Sequence, residues 1–103
     1  MLLSVEELRF HQEHPKSYEL YQRARKCLQG GVPMLWMIRW VGTFPIFVKE
    51  GRGAHFVDID GNEYIDYCLG DTGAMTGHAT EKTVEAIYEQ AKKVIHTCYP
   101  LRM

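Results

Sequence analysis

Residues Ile46 to Gly70 read IFVKEGRGAHFVDIDGNEYIDYCLG. Apolar residues recur at every second position: Ile46 and Val48, Val57 and Ile59, then Ile65, Tyr67 and Leu69. A period of two belongs to a strand with one covered face. Two turn signals part the runs, Gly51-Arg52-Gly53 and Asp60-Gly61-Asn62. The second contains Asp-Gly, a dipeptide that favours tight hairpins. The stretch therefore predicts a three-stranded antiparallel meander over 46–69.

Outward from the meander the period becomes helical. On the N-terminal side, Ser4 and Glu7 form an S-x-x-E capping box, which predicts a helix from near Val5 that stops before Pro15. A second helix is expected from Ser17, with Leu20, Ala24, Cys27 and Leu28 on one face and Gly30-Gly31 as its terminator. Residues 1–29 are thus the N-terminal helices. On the C-terminal side, residues 70–79 (GDTGAMTGHA) read as a glycine-rich loop. Thr80 then opens an amphipathic helix over 80–97, with Val84, Ile87, Tyr88, Ala91, Val94 and Ile95 on its apolar face. Glu81 and Glu85 near its start and Lys92 and Lys93 near its end suit the helix dipole. The fold class is α+β. One sheet and one covering helix make a thin core. The chain reads as the opening portion of something larger, leading to an absent large domain, or as half of an intimate dimer.

Residues 30–45, GGVPMLWMIRWVGTFP, are the odd segment. Their glycines and prolines oppose both helix and strand, yet they carry two tryptophans and two methionines. Each tryptophan hides ~150–250 Å², so exposing one forfeits up to roughly 4–6 kcal/mol. A small monomer has little interior to spare for such a loop. The segment is expected to lie against another subunit, against a missing domain, or around an apolar ligand.

Bulk properties exclude several classes. The 103 residues carry a formal net charge of −1, with basic residues scattered, so a nucleic-acid binder is not indicated. No apolar run is long enough to span a bilayer, and MLLSVEELRF lacks the features of a signal peptide, so a cytoplasmic protein is expected. Cys27, Cys68 and Cys98 are odd in number with no C-x-x-C, and read as small reduced core residues. The H-Q-E-H run at His11–His14 lacks metal-ligand spacing and reads as a solvated helix end. The D-I-D-G-N run at Asp58–Asn62 lacks the geometry of a calcium loop and reads as a hairpin turn. Gly70, Gly73 and Gly77 fit no phosphate-binding pattern. A loop so rich in glycine can still admit a ligand close to its backbone. His78 reads as structural, with no base–nucleophile partner in view.

Three stretches together resemble a known family: L-x-G-G-V at Leu28–Val32, F-V-K-E-G-R-G-A-H-F-x-D-I-D-G-N-E-Y-I-D-Y at Phe47–Tyr67, and G-H-A at Gly77–Ala79. They are similar to the N-terminal region of class III pyridoxal-phosphate aminotransferases, in the branch of glutamate-1-semialdehyde aminomutase and beta-amino-acid transaminases. The resemblance covers roughly Tyr18 to Val94, a first quarter of a typical member. It implies an α/β type I aminotransferase fold for the full length, a homodimer, pyridoxal 5'-phosphate as cofactor, and amino-group transfer between small amino-acid and oxo-acid substrates. It also implies that the linker and the glycine loop line the substrate pocket. The pocket candidates are then Met34, Trp36, Met37 and Arg39 on the linker, and Asp71 and Thr72 on the loop. Met37 stands where the branch has a carboxylate-binding arginine, with Arg39 two residues on. Asp71 stands where the aminomutases have a tryptophan. None of Lys16, Lys26, Lys49, Lys82, Lys92 and Lys93 matches the cofactor lysine, so no catalytic, cofactor-binding or metal residue is expected in this chain, which alone is expected to be inactive. A different class of reading makes it a non-catalytic α+β domain that self-associates, or binds a partner, through residues 33–45.

Overall fold

A computed structural model describes residues 2–39 and 42–95. Two helices come first, α1 (Leu2–Glu13) and α2 (Pro15–Ala24). A short 3-10 turn at Gln29–Gly31 and a 3-10 helix at Leu35–Arg39 follow. The sheet comprises β1 (Val48–Arg52), β2 (His55–Asp58) and β3 (Glu63–Ile65), antiparallel in that order. The last element is α3 (Glu81–Ala91). The radius of gyration is 17.2 Å, against ~13 Å for a compact chain of this length.

The meander is present, with its edges moved. Gly51 and Arg52 lie within β1, paired to Phe56 and His55, so the first turn sits at Gly53-Ala54 instead of Gly51-Arg52-Gly53. A register shift between Val48 and Glu50 bulges β1 at Lys49. β3 ends at Ile65, and Tyr67 and Leu69 fall beyond it. The reason is local: Asp66 Oδ1 accepts the backbone N–H groups of Cys68 and Leu69, both at 2.9 Å, and turns the chain out of the sheet.

The helices are also displaced from expectation. Ser4 lies inside α1, which begins at Leu2. α2 begins at Pro15, two residues before Ser17, because proline suits the first helical position. It ends at Ala24, and Gly30 and Gly31 take positive φ only after further turns. Thr80 is the N-cap of α3, but its hydroxyl donates to Thr83 Oγ1 at 2.7 Å and makes no cap bond to the backbone. Lys92 is the C-cap of α3, and Val94 and Ile95 lie past its end. Residues 96–97 of the expected helix lie outside the described residues.

The interior is small and largely aromatic or polar. Phe44, 5% exposed, is ringed by Phe10, His11, Tyr18 and Tyr21 at centroid distances of 4.9, 4.8, 5.1 and 6.2 Å. Phe56 stacks on Tyr64 across β2 and β3 at 5.0 Å. Among the described cysteines, Cys27 and Cys68 are exposed rather than in the core; Cys98 lies outside the described residues. The linker is anchored at both ends by buried Val32 and Phe44, while Met34, Leu35, Trp36 and Ile38 between them stay substantially exposed. Contrary to the expectation that it can form no helix, its middle makes the 3-10 helix at Leu35–Arg39.

Candidate functional site

The second hairpin turn does more than reverse the chain. Asp60 reaches the N-terminus of α2, where its Oδ1 accepts the Lys16 N–H at 2.7 Å and its Oδ2 the Ser17 N–H at 2.9 Å. These donors lack partners within the helix. His14, the N-cap residue by position, supplies no side-chain cap. The cap therefore comes from a carboxylate far along the chain, and its charge also suits the positive end of the helix. Asn62 adds a bond from Nδ2 to the Glu13 carbonyl at 3.1 Å. Ser17, fully buried, accepts the Phe47 N–H on its hydroxyl at 3.3 Å. One turn thus fastens the α1–α2 junction to the sheet.

Beneath it lies Asp58, 0% exposed. Its carboxylate accepts the Asn62 N–H at 2.8 Å, Asn62 Nδ2 at 3.0 Å and the Tyr64 hydroxyl at 3.0 Å. His14 Nε2 stands 2.6 Å from Tyr64 Oη and 3.6 Å from Asp58. The Phe10 carbonyl, 2.7 Å from His14 Nδ1, can only accept, so that nitrogen carries a proton. His14 is 5% exposed and belongs to the interior, not to a solvated helix end. Burial by itself would push the Asp58 carboxyl up. Hydrogen bonds from Asn62, Tyr64 and the Gly61 amide outweigh it and hold the group below its ordinary value. Burial likewise raises Asp60, and the Lys16 and Ser17 amides bring it below its ordinary value. Burial, then the neighbouring Asp58, push the Tyr64 hydroxyl up to about 12.

A second cluster forms where the glycine loop returns to the sheet. Gly53 and His78 exchange backbone hydrogen bonds at 2.9 and 2.8 Å. A Cβ on Gly77 would meet Gly53 Cα at 3.2 Å, and one on Gly51 would meet the His78 ring at 3.0 Å, so both positions need glycine for this approach. His78 Nε2 lies 2.6 Å from Asp66 Oδ2, and this bond holds the Asp66 carboxyl below its ordinary value. Between Asp66 and His78 the chain runs through Leu69, Gly70, Asp71 and Thr72 at φ of 57, 56, 55 and 75°. Left-handed backbone costs an L-residue roughly 1–2 kcal/mol, and Thr72 is β-branched besides. Gly53, Asp66, Leu69, Met75, Thr76 and His78 are among the residues lining a cavity of about 280 Å³ here.

The six predicted pocket residues are not gathered into one cavity. Met34, Trp36, Met37 and Arg39 sit on or beside the 3-10 helix, with Trp36 42% exposed and Met37 half-buried. Asp71 and Thr72 are exposed on the left-handed turn. The cavity at Gly53–His78 and the groove between α1 and Gly42-Thr43 are lined by none of the six. Trp40 lies outside the described residues. Sequence reasoning missed Asp58, Asp60, Tyr64 and Asp66. The D-x-D-G-N-x-Y-x-D string gave no warning: Asp58, Tyr64 and Asp66 alternate with Val57, Ile59 and Ile65 and so fall on the side that the apolar pattern leaves to solvent, yet Asp58 is 0% exposed and Ile65 55% exposed. Among the described residues no group of histidine, cysteine and acidic side chains is arranged to hold a metal.

The chain has counterparts among known proteins. The family pattern described as Aminotransferase class-III matches residues 36–102. The glutamate-1-semialdehyde 2,1-aminomutase of Thermoplasma volcanium is 42% identical over 77 residues, which are 75% of this chain and 18% of that protein. A crystal structure of a glutamate-1-semialdehyde-aminomutase from Pseudomonas aeruginosa superposes with a TM-score of 0.88 at 41% identity, over 97% of this chain and 22% of that one. A beta-phenylalanine aminotransferase from Variovorax paradoxus shares the fold, with a TM-score of 0.82 at 24% identity over 96% of this chain and 23% of its own. The chain belongs to the class III aminotransferase family. It spans about a fifth of the length of the curated relatives it matches, and the segment it matches is the N-terminal one.

Proposed function

We propose that these residues work as the N-terminal part of a pyridoxal-phosphate-dependent aminotransferase or aminomutase, a cytoplasmic homodimer acting on small amino-acid and oxo-acid substrates. The observation that carries this is the agreement with the Pseudomonas aeruginosa aminomutase over nearly the whole chain, at 41% identity. The glutamate-1-semialdehyde aminomutases and transaminases it resembles include one solved with PMP and one with PLP bound. No helix among the described residues is long and apolar enough to cross a membrane.

The described residues do not by themselves fit the cofactor. Lys16, Lys26, Lys49, Lys82, Lys92 and Lys93 are all exposed, so none stands in a pocket that could shield a cofactor linkage. The contribution of this chain is instead to shape. The linker presents Met34, Trp36, Met37 and Arg39, and the glycine loop presents Asp71 and Thr72, to a substrate pocket closed by residues outside this segment. Arg39 is the cation that meets a substrate carboxylate, and Asp71 is suited to a cationic group. The half-exposed linker supports this reading, because such apolar surface calls for cover from a second body.

The test is to isolate the protein that contains this segment from its native source, weigh it by mass spectrometry and record its absorption with pyridoxal phosphate. A protein several times longer, with a cofactor band and amino-transfer activity, is expected. A 103-residue species that stays colourless and inactive would overturn the proposal. Within the active protein, Trp36→Ala should weaken dimerisation or substrate binding more than it weakens the meander.

A further inference from the structure

Asp66 sits at the point where the sheet hands the chain to the glycine loop. Its own N–H donates to the Ala54 carbonyl at 2.8 Å, so its backbone is held by the first hairpin. One carboxylate oxygen takes the Cys68 and Leu69 amides at the start of the loop. The other takes the His78 ring at the end of it. His78 is fixed in turn by the backbone pair with Gly53. Between these two points lies the left-handed run from Leu69 to Thr72, with inner bonds from Ala74 N–H to the Leu69 carbonyl at 2.8 Å and from Asp71 N–H to the Cys68 carbonyl at 3.1 Å. Its three L-residues, Leu69, Asp71 and Thr72, hold this conformation only where their surroundings over-determine it.

We infer that Asp66 is a positioning residue whose single carboxylate fastens both ends of the 70–77 loop, and that this grip, through His78, holds Asp71 and Thr72 in their left-handed turn. That the loop faces substrate rests on the aminotransferase reading; that Asp66 holds it does not.

Amide hydrogen exchange on the complete 15N-labelled protein that contains this segment tests the grip. Asp66→Ala and His78→Ala should each speed exchange at Ala74 and Asp71 by about ten-fold or more, while Ser17 and Asn62 in the other cluster keep their rates. His78→Gln, which restores a donor near the Nε2 position, should recover most of the protection that His78→Ala loses. Asp66→Asn keeps an acceptor for Cys68 and Leu69 and should fall between wild type and Asp66→Ala. Unchanged loop exchange in Asp66→Ala would overturn the inference, as would equal acceleration at Ser17 and Asn62, which marks general unfolding. In the complete enzyme Asp66→Asn should raise KM with kcat little altered. Lost loop protection with KM unmoved would uphold the grip and count against the substrate-facing loop.

Discussion

Helices α2 and α3 have comparable length and each carries an apolar stripe on one side, yet they meet different fates. α2 buries Ser17, takes its N-terminal cap from Asp60 and packs beside the ring cluster around Phe44. α3 buries no residue: Val84, Ile87 and Tyr88 on its apolar face are all more than half exposed. Its own capping threonine bonds a neighbouring side chain. Patterning states that a helix face wants cover. It does not state that the cover lies in the same segment. In this chain the hairpin turn provides the cap of α2 and the rings around Phe44 its cover, and nothing among the described residues does the same for α3.

The contrast can be broken most sharply at Asp58. Asp58→Ala leaves the Asn62 amide, the Asn62 side chain and the Tyr64 hydroxyl without their buried acceptor, at a cost of about 3–5 kcal/mol. Urea unfolding followed at the α1–α2 junction should show it, and an unmoved midpoint would mean the carboxylate is dispensable.

Acid should act on the same contacts. Asp58 and Asp60 are held below their ordinary values in the folded chain. Their contribution is fully present above the unfolded carboxylate range, about pH 4, and is lost as pH falls through the lowered folded values. The Tyr64 hydroxyl works at the other end: its contribution is complete below about pH 10 and disappears as pH rises through about 12. Urea midpoints measured across this span should form a plateau with both flanks falling. A midpoint that does not drop in acid would separate the clasp from stability.

A smaller loss is expected from Asp60→Ala, about 1–2 kcal/mol, the worth of a good N-cap. Circular dichroism should show fraying of α2 with α3 unaffected. The smallest effect belongs to the uncovered helix. Ile87 is 63% exposed, so Ile87→Ser should shift the midpoint of this chain by under about 0.5 kcal/mol. The same substitution in a complete family member should cost more, if a second body covers that face. Equal small effects in both would remove the need for such a body.

Much of the fold was legible from local rules. The break before Pro15, the Asp-Gly turn and the helix after Thr80 each follow from one or two residues whose backbone preferences are strong. The errors lie where a polar side chain, near or far along the chain, decided the outcome. Asp66 ended β3 early by drawing in two amides, and Asp60 let α2 start at Pro15 by serving as its distant cap. His14 looked like surface because histidine beside glutamates at a helix end is usually solvated; a tyrosine fifty residues away gave it an interior.

By itself, the sequence determined the alternation that makes three strands, the helical stripes and the family to which they belong, since each depends on residues close together along the chain. Only the tertiary structure decided which polar groups would be brought together: Asp58 with Tyr64 and His14, Asp60 with the start of α2, Asp66 with His78. A carboxylate can cap, brace or titrate according to the donors that reach it, and the Lys16 and Ser17 amides at Asp60 and the His78 ring at Asp66 arrive from farther along the chain.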